Sequence, residues 1–120
     1  LTGRHAQFTQ TGTANNSILH DLLPENYIWI NNKVAEKMEI EFGDEVEVSS
    51  SVGKITIKAY PTVQIGPNVV FFIHGFGVQS EELTWAYKNG ASDNAIIVDN
   101  EEPVYGAAAM HETNVEIRKV

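Results

Sequence analysis

The chain has 120 residues, is 42% hydrophobic and carries a formal net charge of −8, with no cysteine. A chain of this length buries roughly two-thirds of the surface it exposes when unfolded, so one domain over residues 1–120 is expected. The missing cysteines exclude disulfides, thiolate-held iron–sulfur clusters and thiol nucleophiles, and the acidity argues against nucleic acid or anionic membrane as a partner.

In chain order, Leu1–His5 is short and apolar-led, a first strand. Thr9–Ser17 is rich in Thr, Asn and Gly and reads as a polar loop. Asn16 or Ser17 then caps a short helical turn through Ile18, Leu19 and Leu22, stopped by Pro24. Tyr27–Ile30 is aromatic and β-branched, a strand. Asn31 or Asn32 caps a helix with Val34, Ala35 and Met38 on its apolar side, and Phe42–Gly43–Asp44 is the turn that closes this unit.

Val46 and Val48 alternate with polar or charged residues, as do Ile55, Ile57 and Ala59 beyond Ser50–Gly53, so these two segments predict an antiparallel hairpin ended by Pro61. Val69–Ile73 is the longest apolar run and has the length of a buried strand, far below the ~20 residues of a membrane-spanning helix. Glu81–Tyr87 predicts a helical turn; Ala95–Val98 and Asn114–Val120 predict the last strands. Six or so short strands with few helices imply a mainly β fold, a small barrel or sandwich.

Charge is unevenly placed. Residues 1–20 contain no carboxylate, only Arg4 with His5 and His20, and Val48–Ser80 contains only Lys54 and Lys58. Acids crowd into Glu36–Glu47, Glu81–Glu82 and Asp93–Glu102. A carboxylate-free N-terminal segment in an acidic chain spares an anionic ligand from repulsion.

The familiar catalytic and metal motifs are missing. The four histidines are scattered, and His111–Glu112 lacks the second histidine of a zinc-protease helix, so no metal site is expected. His74–Gly75–Phe76–Gly77 has no serine elbow to serve, and no phosphate-binding glycine signature is complete. Two carboxylate-free stretches carry the remaining chemistry: Thr2–Thr13 and His74–Gly77. Hydroxyls, carboxamides and glycine amides hold phosphates and heterocycle edges without a full charge, and Arg4 adds a forked donor.

Taken in sequence order, several segments resemble the molybdopterin dinucleotide-binding domain that closes the chain of dimethyl-sulfoxide-reductase-type oxidoreductases. They are Thr2–Gly3–Arg4, the Thr/Gly loop ending Thr13–Ala14–Asn15–Asn16, Ile30–Asn31–Asn32, Phe42–Gly43–Asp44, Gly66–Pro67–Asn68, His74–Gly75–Phe76–Gly77, and Gly90 with Asn94. The Phe8–Thr11 run and the His-Gly-Phe-Gly turn are most similar to the thiosulfate and polysulfide reductase branch.

The resemblance implies a six-stranded double-psi β-barrel with a few short helices, and a role in covering bis(molybdopterin guanine dinucleotide). It places Thr2, Gly3, Arg4 and His5 at the pterin–phosphate region and assigns polar contacts to Gln7, Thr9, Thr11, Gly12 and Thr13. His74 and Phe76 would lie near a pterin ring, with Asn94 on a pterin edge. Met110–His111 stands where many members carry Lys or Arg, so His111 is the candidate substitute.

The molybdenum ligand and any iron–sulfur cluster belong to other domains of the family. This chain is therefore expected to be a fragment of a larger catalytic subunit, without catalytic or metal-ligating residues of its own. Its opening on Leu1 rather than methionine agrees with a fragment whose targeting signal lies upstream. The implied partners are the rest of that subunit, an iron–sulfur electron-transfer subunit and a membrane-anchor subunit, in a periplasmic complex of anaerobic respiration, with no direct membrane contact by this chain. The rival expectation is a double-psi barrel that binds protein; a self-processing decarboxylase of similar fold would need a Gly-Ser site, which is absent.

Overall fold

Alternation decides the inner face of the sheet. In β2 (Tyr27–Asn31), Ile28 and Ile30 are buried while Tyr27 and Trp29 face outward; in β3 (Glu45–Ser49), Val46 and Val48 are buried. β4 (Lys54–Thr62) buries Ile57 and Ala59 on the same face. These elements come from a computed structural model that describes residues 1–6, 8 and 11–120. The remaining elements are β1 (Thr2–Gly3), α1 (Thr11–Ala14), α2 (Ser17–Leu22), α3 (Asn32–Lys37), β5 (Phe71–Ile73), a 3-10 turn at Asp93–Ala95, and β6 (Glu116–Lys119).

The described strands form one mixed sheet in the order β1-β5-β2-β4-β3-β6. β1–β5 and β2–β4 are parallel; the other pairs are antiparallel. The expected mainly β, six-stranded architecture with short helices is present. The hydrogen-bonded ladder is open, with β1 and β6 at its two edges.

The hairpin forms as its pattern predicts: Ser49 pairs with Lys54, and the Ser50 N–H donates to the Gly53 carbonyl at 2.8 Å. Pro61 does not end β4, which continues to Thr62 with Pro61 opposite Ile30. The Ala59 N–H donates to the Asp44 carbonyl, on the β3 side. Two residues on, the nitrogen of Pro61 faces that side again, beyond the last β3–β4 pair at Glu45–Lys58, so its missing hydrogen costs no ladder bond.

Both expected caps are made. The Asn16 side chain accepts from Ile18 and Leu19, and Asn31 accepts from Lys33 while its amide donates to the Ile65 carbonyl at 2.7 Å. Three other expectations shift, while the helical turn expected in Glu81–Tyr87 forms. The Thr9–Ser17 stretch contains the short helix α1, and β5 begins at Phe71 rather than Val69. The Glu81–Tyr87 segment forms turns closed by Ala86 and Tyr87 N–H bonds to the Leu83 carbonyl. Ala95–Val98 is not a strand: the 3-10 turn runs into it, because the Ile96 and Ile97 N–H groups both donate to the Asp93 carbonyl.

Two clusters fill the interior. The larger joins Ile28, Ile30, Ala35, Ile40, Val46, Val48, Ile57, Ala59, Phe72 and Ile96; the smaller is Phe8, Ile73 and Phe76, with Leu19, Leu23 and Phe71 packed against it. On the outer face, Tyr27 stacks on Phe42, and Tyr60 bridges Phe42 to Trp29.

Candidate functional site

β1 is only two residues long, yet it fixes the N-terminal segment against the strand that leads to the second carboxylate-free stretch. Thr2 lies opposite Phe72 and Gly3 opposite Ile73; the His74 N–H then donates to the Gly3 carbonyl at 2.9 Å. The approach is close. A Cβ on Gly3 would sit 2.9 Å from the Phe71 ring, so only glycine fits without moving that ring.

Beyond β1 the contacts continue. Phe8 packs on Phe76 with ring centroids 5.7 Å apart, and the Thr11 hydroxyl donates to the Gly75 carbonyl at 3.4 Å. The two stretches singled out from sequence, remote along the chain, are therefore one structural unit.

Within that unit the predicted residues differ in availability. Arg4 is exposed and makes no ion pair or hydrogen bond among the described residues. His5 Nδ1 is buried with no hydrogen-bond partner, a state that costs about 1–3 kcal/mol unless a further group meets it. A groove of about 400 Å³ is lined by Leu1, Arg4, His5, Ala6, Trp29, Gln64, Ile65 and Phe71, with no carboxylate among them.

Phe76 is core rather than surface: it is 8% exposed and forms the floor under the loop. Gly12 is exposed with open space around it, and Thr13 is half-buried with its carbonyl accepting from Asn16. Gln7 and Thr9 lie outside the described residues. Asn94 is exposed, and its side chain makes no hydrogen bond among the described residues. His111 reaches the unit as well, its Nδ1 accepting the Thr2 N–H at 3.2 Å.

Two residues that sequence reasoning passed over hold the unit together. Asn26 is fully buried; its amide donates to the carbonyls of Ile73 and Ala91 at 2.9 Å each, and its oxygen accepts the Ala91 N–H at 2.9 Å. Gly90 abuts it at φ 67°, where a Cβ would lie 3.0 Å from the Asn26 nitrogen and closer still to its side-chain oxygen. Left-handed backbone and absent space both require glycine there.

Asp93 is the second. It is 1% exposed, and both carboxylate oxygens lie 2.7 Å from His74 Nδ1. The region is therefore not free of carboxylate in space, as it is in sequence. One acid from the Asp93–Glu102 crowd is buried here against a histidine. The only advance signal was that Asp93 precedes the predicted Asn94.

No group of three or more metal-ligating side chains occurs among the described residues, and no helix is long and apolar enough to cross a membrane. Comparison with known proteins gives a consistent picture. The family model described as "Molydopterin dinucleotide binding domain" matches residues 1–114. The molybdopterin-containing subunit ArrA of the arsenate respiratory reductase of Chrysiogenes arsenatis is 31% identical over 107 residues, covering 82% of this chain and 13% of that protein. Acetylene hydratase from Pelobacter acetylenicus has the same fold, with a TM-score of 0.82 at 16% identity, over 100% of this chain and 18% of its own. The chain thus spans less than a fifth of the length of each of these two proteins.

Proposed function

This chain belongs to the molydopterin dinucleotide binding domain family, and from that premise we propose that it covers one face of bis(molybdopterin guanine dinucleotide) in a larger molybdenum oxidoreductase. The carrying observation is the buried, unpartnered His5 Nδ1 beside the unpaired Arg4, in a groove without carboxylates. The donor set suits such a ligand. One guanidinium meets a phosphate, while neutral donors and acceptors from His5, Thr11, His74 and Asn94 meet heterocycle edges.

The bound cofactor supplies the redox chemistry. The chain's own residues bind and orient. Arg4 holds a phosphate oxygen, His5 Nδ1 gains the partner it lacks, and β1 keeps Gly3 tight against Phe71 so that the loop stays in register. Phe76 supports this from below.

The finer assignments are proposals of the same standing. The two parallel pairs support reading the sheet as a double-psi barrel. Its seam falls between the edges, where Leu1, Val70, Val115 and Ile117 line a cleft of about 620 Å³. The run Phe8–Thr11 with His74–Gly77 supports a thiosulfate or polysulfide reductase as the parent, in a periplasmic complex with an iron–sulfur subunit and a membrane anchor.

An NMR titration with guanosine diphosphate and with pterin tests the site. Shifts confined to Thr2–Thr13, His74–Gly77 and Asn94 are expected. Arg4→Ala should weaken the diphosphate by about tenfold or more, the worth of a charge-assisted bond. Shifts elsewhere, or shifts only with unfolded peptides, would replace this reading with that of a protein-binding barrel.

A further inference from the structure

His74 follows directly on β5, and its ring turns toward the 3-10 turn instead of solvent. Nδ1 lies 2.7 Å from both oxygens of Asp93, whose residue is 1% exposed, while the His74 side chain is 20% exposed. An ionised carboxylate only accepts, so the nitrogen facing it carries the hydrogen. Nε2 makes no hydrogen bond among the described residues.

The pair is held from both sides. Asn26 ties Ile73, the residue before His74, to Ala91, two residues before Asp93. Asp93 is held in turn by its own carbonyl, which accepts from Ile96 and Ile97. Such a fixed pair sets a tautomer, because the bond made by one ring nitrogen decides the role of the other.

We infer that Asp93 is a positioning residue that locks His74 in the Nδ1–H form, so that the neutral ring presents its Nε2 lone pair to a heterocyclic N–H or amino hydrogen of the bound ligand. The choice of ligand rests on the cofactor reading above; the tautomer does not.

Nitrogen-15 NMR of the 120-residue chain, labelled at histidine and held at a pH where the ring is neutral, reads the tautomer directly. The expected spectrum has a protonated Nδ1 and an unprotonated Nε2, and added pterin moves the Nε2 resonance. Asp93→Asn should lose the single tautomer, because a carboxamide both donates and accepts. It should also weaken pterin by about tenfold, the worth of one hydrogen bond. Binding of guanosine diphosphate near Arg4 should be unchanged, which shows that the variant is folded.

A wild-type His74 protonated on Nε2 overturns the inference whatever the variant does. If pterin shifts Arg4 and His5 but leaves His74 Nε2 still, the inference fails and the cofactor reading survives. If neither probe shifts any residue, the cofactor reading fails and the acceptor role fails with it.

Discussion

The two hydrophobic clusters are built differently. The larger is aliphatic apart from Phe72, draws six of its ten residues from β2, β3 and β4, and lies beneath regular ladders. Around it polar groups are matched: Glu47 takes Lys54 at 3.1 Å and Arg118 at 2.8 Å, Asp44 takes Lys119 at 2.7 Å, and Asn31 caps α3. The smaller cluster rests on Phe8, Ile73 and Phe76; beside it His5, in ring contact with Phe8, holds Nδ1 buried without a partner, and Arg4 shares its groove without an ion pair. The larger half thus carries ion pairs along its strands. The smaller half keeps a buried polar atom, His5 Nδ1, without a partner among the described residues.

The sharpest test of that division is a truncation in the larger cluster. Ile28→Ala should destabilise by about 2–5 kcal/mol in urea denaturation, because Ile28 is 1% exposed and its neighbours cannot collapse into the gap. At a temperature where the variant is still folded, its guanosine diphosphate shift map should match that of the parent. A changed map would mean that the two halves are not separable.

Asn26 is where they meet, so Asn26→Ala should affect both. It leaves the Ile73 carbonyl and both polar groups of Ala91 without their partner, a loss of about 3 kcal/mol. Unlike Ile28→Ala, it should also broaden the amide signals of His74 and Asp93. Sharp, unmoved signals there would show that the clamp is not what holds the pair.

His5 inverts the usual sign. Replacing a buried polar atom that has no partner should cost nothing, so His5→Phe should leave stability unchanged or raise it by about 1 kcal/mol, while diphosphate or pterin binding weakens. A variant clearly less stable than the parent would mean that Nδ1 is satisfied by solvent in the free chain.

Legibility from sequence divided along the same line. Asn31 before Val34–Ala35, and alternation at Val46–Val48 and Ile55–Ala59, give α3 and the hairpin, because the pattern and the local backbone bonds agree. Pro61 misleads because its consequence depends on which side of β4 its nitrogen faces, a property of the partner strands. In the site, Thr2–Arg4 and His74–Gly77 were legible as carboxylate-free stretches, but their union depends on the β1–β5 pairing. Asn26 and Asp93 were illegible for one reason. Each sits in a stretch that reads as turn or solvated acid, and its value lies in bonds to residues far along the chain.

The smallest effect tests the ion-paired half through pH. The hydrogen bond from Lys54, helped by Arg118, holds the Glu47 carboxyl below its ordinary value of 4.5, and the bond from Lys119 lowers Asp44 from 3.8. A group depressed on folding stabilises fully above its unfolded pKa, and the contribution fades as pH falls through the lower, folded value. The denaturation midpoint of Glu47→Gln should therefore differ most from the parent above pH 4.5, converge with it toward about pH 2, and differ less in high salt. Arg4 should add nothing to this acid limb, because it has no carboxylate partner among the described residues. If Arg4→Ala were to reproduce the Glu47→Gln profile, Arg4 would be paired with an acid in solution, and the contrast between a matched half and an open one would fail at its most exposed residue.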